Sequence, residues 1–371
     1  SVMVFDMDAN IQDSPVSFTQ EQLINEAIGN VGPQNYALRD ILRALDNLAD
    51  DTRIKALYLR GSLKSSNYGS GFAALKEVRE AIIEFKEISG KPVIAYLVYP
   101  TDKDLYLAST ADKIIFNPEG LIMNVGMASE PIFFAGFFEK YGIGVQVTKA
   151  GEFKSAAESF VMGKMSAPAR EQTEALLEDL WDEYVEALSE RAEMSPAQFQ
   201  SLVDQKGLLT AKDALEAGIV DELGFADSVI RTLKEVSDDE SEKLEYNSAS
   251  FSDYVLASRE TVSGDHIAIV YAEGTIVMGE GNVGQVGGTK LAREIRELRQ
   301  DEKVKAIVLR VNSPGGSALA SEEIQHEIRL ANRKIPVVVS MGTVAASGGY
   351  WISTYADKIY AEPNTITGSI G

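Results

Sequence analysis

Ser347 is followed by Gly348 and Gly349 and closes a stretch, Pro336–Trp351 (PVVVSMGTVAASGGYW), that begins with the β-branched run Val337–Val339. Such a run reads as a buried parallel strand, here breaking into small residues at a tight turn. A serine on that turn sits exposed at a helix start, and the glycines leave backbone N–H groups unhindered beside it. These are the parts of a nucleophile next to an oxyanion site. A small-residue helix start that merely packs on its strand has the same pattern. A second buried-strand run, Val304–Leu309, ends in Arg310-Val311-Asn312-Ser313-Pro314-Gly315-Gly316. Pro314 fixes the turn, and the glycines bring bare amides to the carboxyl edge of the sheet, where open α/β sheets place ligands. Two strand ends thus offer convergent N–H donors and one hydroxyl.

A serine hydroxyl is a weak nucleophile until a base takes its proton. The chain has two histidines. His326 falls in a helical segment, Ser321–Ala331, and His266 begins a strand; neither has an orienting carboxylate at a telling position, and both read as structural. The other candidate base is a lysine, which acts near neutrality only if its pKa falls from about 10.4 to about 7, roughly 4–5 kcal/mol of desolvation in a dry niche. Lys154 follows Gly151 and Phe153 and precedes Ser155-Ala156-Ala157, small neighbours that would let an ammonium be enclosed. On residue types alone it reads as an ordinary surface lysine.

At 371 residues, 45% hydrophobic and 25% charged, the chain is long enough for two domains or one large one. A net charge of −21 repels phosphate backbones, so nucleic acid is a poor partner. The absence of cysteine excludes disulfides, a thiolate nucleophile and cysteine metal sites, and two histidines exclude a His-rich one. No apolar run reaches the roughly 18 residues of a membrane span; Pro131–Phe138 is the nearest. The chain starts directly on an apolar run, Val2–Phe5.

An internal repeat organises these elements. Arg53–Arg60 (RIKALYLR) matches Lys303–Arg310 (KVKAIVLR) at an offset of 250, and Lys91-Pro92-Val93-Ile94 through Ala111-Asp112-Lys113-Ile114 matches Ile335–Val338 through Ala356–Ile359 at offsets of 244 to 245. The copies part where the chemistry sits. Opposite Asn312–Gly316 the first has Ser62–Ser66, and opposite Ser347-Gly348-Gly349 it has Asp102-Lys103-Asp104. The first copy is no complete hydrolytic centre of this type. Helical spacing marks Ser70–Ser89 as a crossover helix and predicts a long helix after Ser166-Ala167-Pro168. Thr210-x-x-Asp213 is a capping-box start running to Gly218. Glu130–Tyr141 reads as a core helix, or as an apolar substrate wall or subunit contact, and Gly144–Thr148 as a strand. The expected organisation is a first repeat over 1–236, an acidic, polar linker over 237–262, and a second repeat over 263–371. Gly371 corresponds to Gly126, so about a hundred residues of counterpart would be missing if the repeat is complete.

The order strand, NSPGG, helix, strand, Ser-Gly-Gly-Tyr resembles the Clp-type and signal-peptide-peptidase-A (protease IV) serine peptidases. Ala345–Ile352, Ala356–Ile359 and Thr367-Gly368-Ser369-Ile370-Gly371 favour the protease IV branch in its double-length bacterial form. The resemblance implies an α/β fold of tandem crotonase-like (Clp-type ββα) repeats, the second truncated. It further implies that Gly151–Ala156 supplies Lys154 from the first repeat as general base to Ser347 in the second. Ser369 would hold the lysine, and Gly348 with Gly315 or Gly316 would form the oxyanion hole. Implied substrates are signal peptides or other apolar unfolded peptides, cleaved at the extracytoplasmic (periplasmic) face of the bacterial cytoplasmic membrane. Family members typically carry an N-terminal membrane anchor, absent from this chain, so the resemblance implies a removed leader ahead of Val2–Phe5; they assemble as homo-oligomers, a tetramer by resemblance. No cofactor or metal is implied. The rival expectations are a crotonase-fold acyl-CoA enzyme and a non-catalytic scaffold or peptide binder.

Overall fold

The computed structural model describes residues 1–16, 34–66, 68–241, 243, 245–258 and 263–370. Residues 17–33 and 67 of the expected first repeat, residues 242, 244 and 259–262 of the expected linker, and Gly371 lie outside the described residues. The fold is mixed α/β with parallel sheets. By compactness it forms two units, Ser1–Val125 with Tyr184–His266, and Gly126–Glu183 with Ile267–Gly371.

The first unit is built on a six-stranded sheet. Its strands are β1 (Val2–Asp6), β2 (Ala56–Arg60), β3 (Val93–Leu97), β4 (Lys113–Phe116), β5 (Glu222–Leu223) and β6 (Ser248–Ser250), in the order β6-β1-β2-β3-β4-β5. Every pairing is parallel. Parallel strands buried on both faces need unbroken apolar runs, and Ala56–Leu59 and Val93–Ala95 are fully buried as that demands. Among the helices of the same unit are α1 (Leu38–Asp50), α2 (Phe72–Ser89) and α3 (Asp102–Ala108). The crossover α2 buries Leu75, Val78, Ile82 and Phe85 on one stripe and stops at Gly90, whose left-handed φ of 65° suits a residue without Cβ. Thr210 and Asp213 form the reciprocal capping box that starts the helix Ala211–Glu216. The segment 237–262 contributes β6, paired with β1, and a helix, Phe251–Ala257.

The second unit carries β7 (His266–Glu273), β8 (Thr275–Val277), β9 (Gln285–Gly287), β10 (Val304–Ser313), β11 (Val337–Ala346), β12 (Lys358–Tyr360) and β13 (Ile366–Gly368). Its main sheet runs β7-β10-β11-β12, and β13 also pairs with β11. Because β10 occupies one edge of β11, β12 and then β13 share the other, at Val338–Ser340 and Val344–Ala346. The helices are α4 (Ala135–Lys140), α5 (Glu158–Val161), α6 (Ala167–Arg191, whose last residues fall in the first unit), α7 (Gly288–Gln300), α8 (Ala318–Asn332) and α9 (Gly348–Ser353). Pairing of β10 with β11 aligns Ile307 with Val337, and pairing of β2 with β3 aligns Leu57 with Val93. These are the sequence offsets again, Leu57 to Ile307 (250) and Val93 to Val337 (244).

Two local expectations fail. Gly144–Thr148 forms no strand: the alternation is present, but among the described residues no neighbour supplies a ladder. The Phe-rich segment helps no core, since α4 is only six residues long and buries none of them; Phe137 is 54% exposed.

The core of the second unit joins Leu309 and Val311 of β10 to Val337 and Val339 of β11, Leu291 and Ile295 of α7, and Ile324 and Ile328 of α8. Leu309 has no exposed surface. We expect Leu309→Ala to destabilise the fold by about 3 kcal/mol, the transfer and cavity cost of a buried leucine. Urea unfolding read by circular dichroism checks this, and a loss under about 1 kcal/mol would mean the site collapses around the smaller side chain.

Candidate active site

At the end of β11 the backbone turns through Ser347, with φ 52° and ψ −116°, and enters α9. A residue with a Cβ in that region is strained by about 1–3 kcal/mol, and such strain persists only where the surroundings dictate it. They do so here. A Cβ on Gly348 would lie 2.5 Å from Ser321 Oγ, and one on Gly349 would lie 2.5 Å from the Ser313 carbonyl oxygen. Glycines therefore let α9 press against β10 and α8, and the bend leaves the Ser347 hydroxyl at the sheet's carboxyl edge. The Ser347 amide donates to the Gly368 carbonyl (2.9 Å), an extension of the β11–β13 ladder that brings Ser369 alongside.

The neighbouring turn is as tightly fitted. The β10–β11 register shifts between Val311 and Ser313, lifting the Asn312–Gly316 turn beside Ser347. A Cβ on Gly315 (φ 88°) would lie 2.3 Å from the Gly348 nitrogen, and one on Gly316 would lie 2.1 Å from the Ile276 carbonyl oxygen. Buried Ser313 donates its hydroxyl to the Gly274 carbonyl (2.6 Å) and accepts the Gly315 N–H (3.1 Å), so that amide is engaged. Gly316 differs. It bridges Ile276 in parallel fashion, the bonds running from Ile276 N–H to the Gly315 carbonyl (2.8 Å) and from Ser317 N–H to the Ile276 carbonyl (2.9 Å). In that pattern the central residue's own N–H points to the other side. There the Gly316 nitrogen lies 3.3 Å from the place a Gly348 Cβ would take. The Gly348 amide is the first of a helix and has no intrahelical acceptor.

Lys154 reaches this corner from a loop of the same unit. Its Nζ donates to Ser347 Oγ (3.1 Å), to Ser369 Oγ (3.0 Å) and to the Ser369 carbonyl. The structure thus brings together Ser347, Lys154, Ser369, Gly348, Gly315 and Gly316. Neither histidine joins them: His326 is exposed on α8 with Nδ1 against Arg329 (3.0 Å), and His266 Nδ1 faces the Gly264 carbonyl (2.9 Å).

Sequence reasoning missed what holds the Lys154 loop. Glu158, 4% exposed, accepts Lys149 Nζ (3.2 Å), the Ser166 hydroxyl (2.8 Å) and the Ser166 N–H (3.1 Å), while Gln172 on α6 donates to Ser155 Oγ (2.8 Å). Burial alone would push the Glu158 carboxyl up; Ser166 and then Lys149 outweigh it and hold the group below its ordinary range. Lys149 lies nine residues before Glu158 and Ser166 eight after it, spacings with no helical or strand period to mark them.

The model described as Peptidase family S49 matches residues 86–240 and 329–371. Lys154 falls in the first stretch and Ser347 and Ser369 in the second. The chain is similar to Protease 4 of Salmonella typhi, 39% identical over 346 residues, which is 91% of this chain and 55% of that protein. To Protease 4 of Haemophilus influenzae it is 36% identical over 369 residues, 95% of this chain and 58% of that one. Serine protease SPPA, chloroplastic, of Arabidopsis thaliana is 31% identical over 331 residues, 87% and 48% respectively. The chain spans about half the length of the curated relatives it matches.

In the first unit, the positions opposite the serine and its glycines carry different chemistry. Buried Asp104 accepts the Leu63 N–H (2.7 Å) and the Ser62 hydroxyl (2.8 Å), so polar groups of that turn are consumed by a carboxylate. Asp102 Oδ1 is buried with no partner among the described residues. Burial, and then the Asp104 charge, push Asp102 up from 3.8 to about 6. The folded chain therefore keeps a proton that the unfolded chain releases, so its stabilising effect is complete below pH 3.8 and is lost as pH rises through about 6. Asp102→Asn should raise the melting temperature at pH 8 and leave it unchanged at pH 3.5. Equal shifts at both pH values would place the effect elsewhere than in this proton.

Proposed function

The chain belongs to peptidase family S49, and on that premise we propose that it is a serine endopeptidase working through a Ser347/Lys154 dyad. The observation that carries the reading is the 3.1 Å contact between Lys154 Nζ and Ser347 Oγ beside two glycine amides. With the amine neutral, the Ser347 hydroxyl donates to it and surrenders its proton as Oγ attacks the scissile carbonyl carbon. The oxyanion that forms accepts from Gly348 N–H and Gly316 N–H; Gly316 is preferred to Gly315 because the latter's amide is engaged by Ser313. Loss of one such donor costs about 3 kcal/mol of transition-state stabilisation. Lys154 passes the proton to the leaving amine, the peptide C–N bond breaks, and an acyl ester remains on Ser347. Water, deprotonated by the same amine, then hydrolyses the ester. Ser369 keeps the lysine aimed through its hydroxyl and carbonyl.

The fold reading that accompanies this is a tandem crotonase-like repeat over 1–236 and 263–371, supported by strand pairings that recur at the offsets of the sequence repeat. Substrates are signal peptides or other apolar unfolded peptides, and the working form is a homo-oligomer at the extracytoplasmic face of a membrane. Among the described residues no helix is long and apolar enough to cross a membrane.

A serine-directed fluorophosphonate should label the intact chain, and Ser347→Ala should abolish labelling. Lys154→Ala should slow both labelling and peptide hydrolysis by about 10²–10⁴-fold, the usual scale of general-base catalysis. Lys154→Arg should be no better, since a guanidinium stays protonated. An intact chain that the probe leaves unlabelled would sink the dyad.

Gly315→Ala offers an independent check on the oxyanion corner. Its Cβ would drive the Gly348 amide away, so peptide hydrolysis should fall at least about 100-fold, the scale of a lost donor. Activity within a few fold of the parent chain would exclude this corner from the reaction.

A further inference from the structure

We propose that Glu158 and Gln172 are positioning residues for Lys154, setting the reach of its amine to Ser347; this rests on the dyad reading above. Lys154 lies on a loop without strand or helix hydrogen bonds of its own, between Lys149 and the start of α5. Ser369 holds the amine itself, but a long flexible side chain keeps a 3.1 Å contact with a group 193 residues away only if the loop that carries it is fixed as well. Two ties fix it. Glu158 draws Lys149, at the loop's near end, against Ser166, and Ser166 is itself anchored: its hydroxyl accepts the Ala169 N–H (3.2 Å) in the first turn of α6. The carboxylate thereby sits at the positive end of a long helix, where an anion is favoured. The second tie, Gln172 to Ser155 Oγ, grips the residue next to Lys154 from the following turn of the same helix. Between them Ser155 accepts the Glu158 N–H (2.9 Å) through its carbonyl and closes the loop into a turn that Ala156 and Ala157 leave uncrowded.

A buried carboxylate is a poor choice for stability alone, because an apolar residue of similar size often does as well. What it supplies here is direction: three donors converge on one carboxyl group and lock loop to helix in a single register. Ser155, Glu158, Ser166 and Gln172 do not touch the proposed reacting atoms. They act through Lys154.

The test is a double-mutant cycle in the full chain, read by the rate of fluorophosphonate labelling and by kcat and KM for an apolar peptide. Glu158→Gln keeps the size of the group and removes its charge. It should lower kcat and the labelling rate about 10- to 100-fold, the scale of a misaligned reacting group, with KM within twofold. Gln172→Ala, which removes one bond from a half-buried position, should lower both by a smaller factor of about 3 to 10. In a Lys154→Ala background neither substitution should slow the residual labelling further, since the residue they position is gone. An equal slowing in both backgrounds, a rise in KM instead of a fall in kcat, or no effect at all would overturn the proposal. If Glu158→Gln fails to fold by circular dichroism, the Gln172→Ala arm of the cycle decides. If Lys154→Ala labels as fast as the parent, the dyad itself has failed, an outcome distinct from a dyad that works without these ties.

Discussion

The second unit depends on a shortage of space where β10, β11 and α9 meet. Four glycines, Gly315, Gly316, Gly348 and Gly349, each sit where a Cβ would fall within 2.1–2.5 Å of another group. Contacts that close are not relieved by a rotamer change, because the opposing atoms are mostly backbone. The consequence is chemical as well as steric. Amide groups that a side chain would have screened lie bare at the strand ends, and Ser347 is forced into a backbone region that turns its hydroxyl outward. The strain at Ser347 is held by the packing of the buried residues behind it, chiefly β10, β11 and α8.

The first unit carries a carboxylate, in the turn that the sequence offsets match to this corner, where the second unit has a glycine. Its sheet is at least as regular, with six parallel strands, yet Asp104 occupies the turn and accepts its polar hydrogens. A carboxylate there stabilises the loop locally and adds negative charge where an oxyanion would need positive dipoles. The two arrangements are mutually exclusive solutions to satisfying the same kind of strand end.

Much of this was legible in the sequence, for identifiable reasons. Val304–Leu309 and Val337–Val339 announce buried parallel strands because both faces need apolar side chains, and Gly315, Gly316, Gly348 and Gly349 announce close backbone approach. The division between Gly315 and Gly316 was not legible, since it turns on the Ser313 hydroxyl taking one amide, a contact that no spacing rule encodes. Alternation at Gly144–Thr148 predicted a strand, but a strand also needs an edge to pair with. The aromatic spacing of Glu130–Tyr141 predicted a covered face, and α4 proves short and open. Glu158 was invisible because loop ties have no period. The sequence resemblance, by contrast, reached Lys154 where residue chemistry alone read a surface lysine.

The surroundings of Lys154 fit either protonation state, and counting donors shows why. An ammonium has three hydrogens, and three acceptors face it: Ser347 Oγ, Ser369 Oγ and the Ser369 carbonyl. A neutral amine has two hydrogens and one lone pair. The carbonyl can only accept, so it keeps an N–H whatever the charge. The second N–H stays with whichever hydroxyl accepts, and the lone pair takes a proton from the other. Where Ser369 accepts through both its carbonyl and its hydroxyl, both hydrogens are taken and the lone pair is left to Ser347. On the proposed reading, then, Ser369 does more than hold the lysine in place. By occupying both hydrogens of the neutral amine it decides that the one vacant position faces the nucleophile, a selection that a single hydrogen-bonding partner could not make.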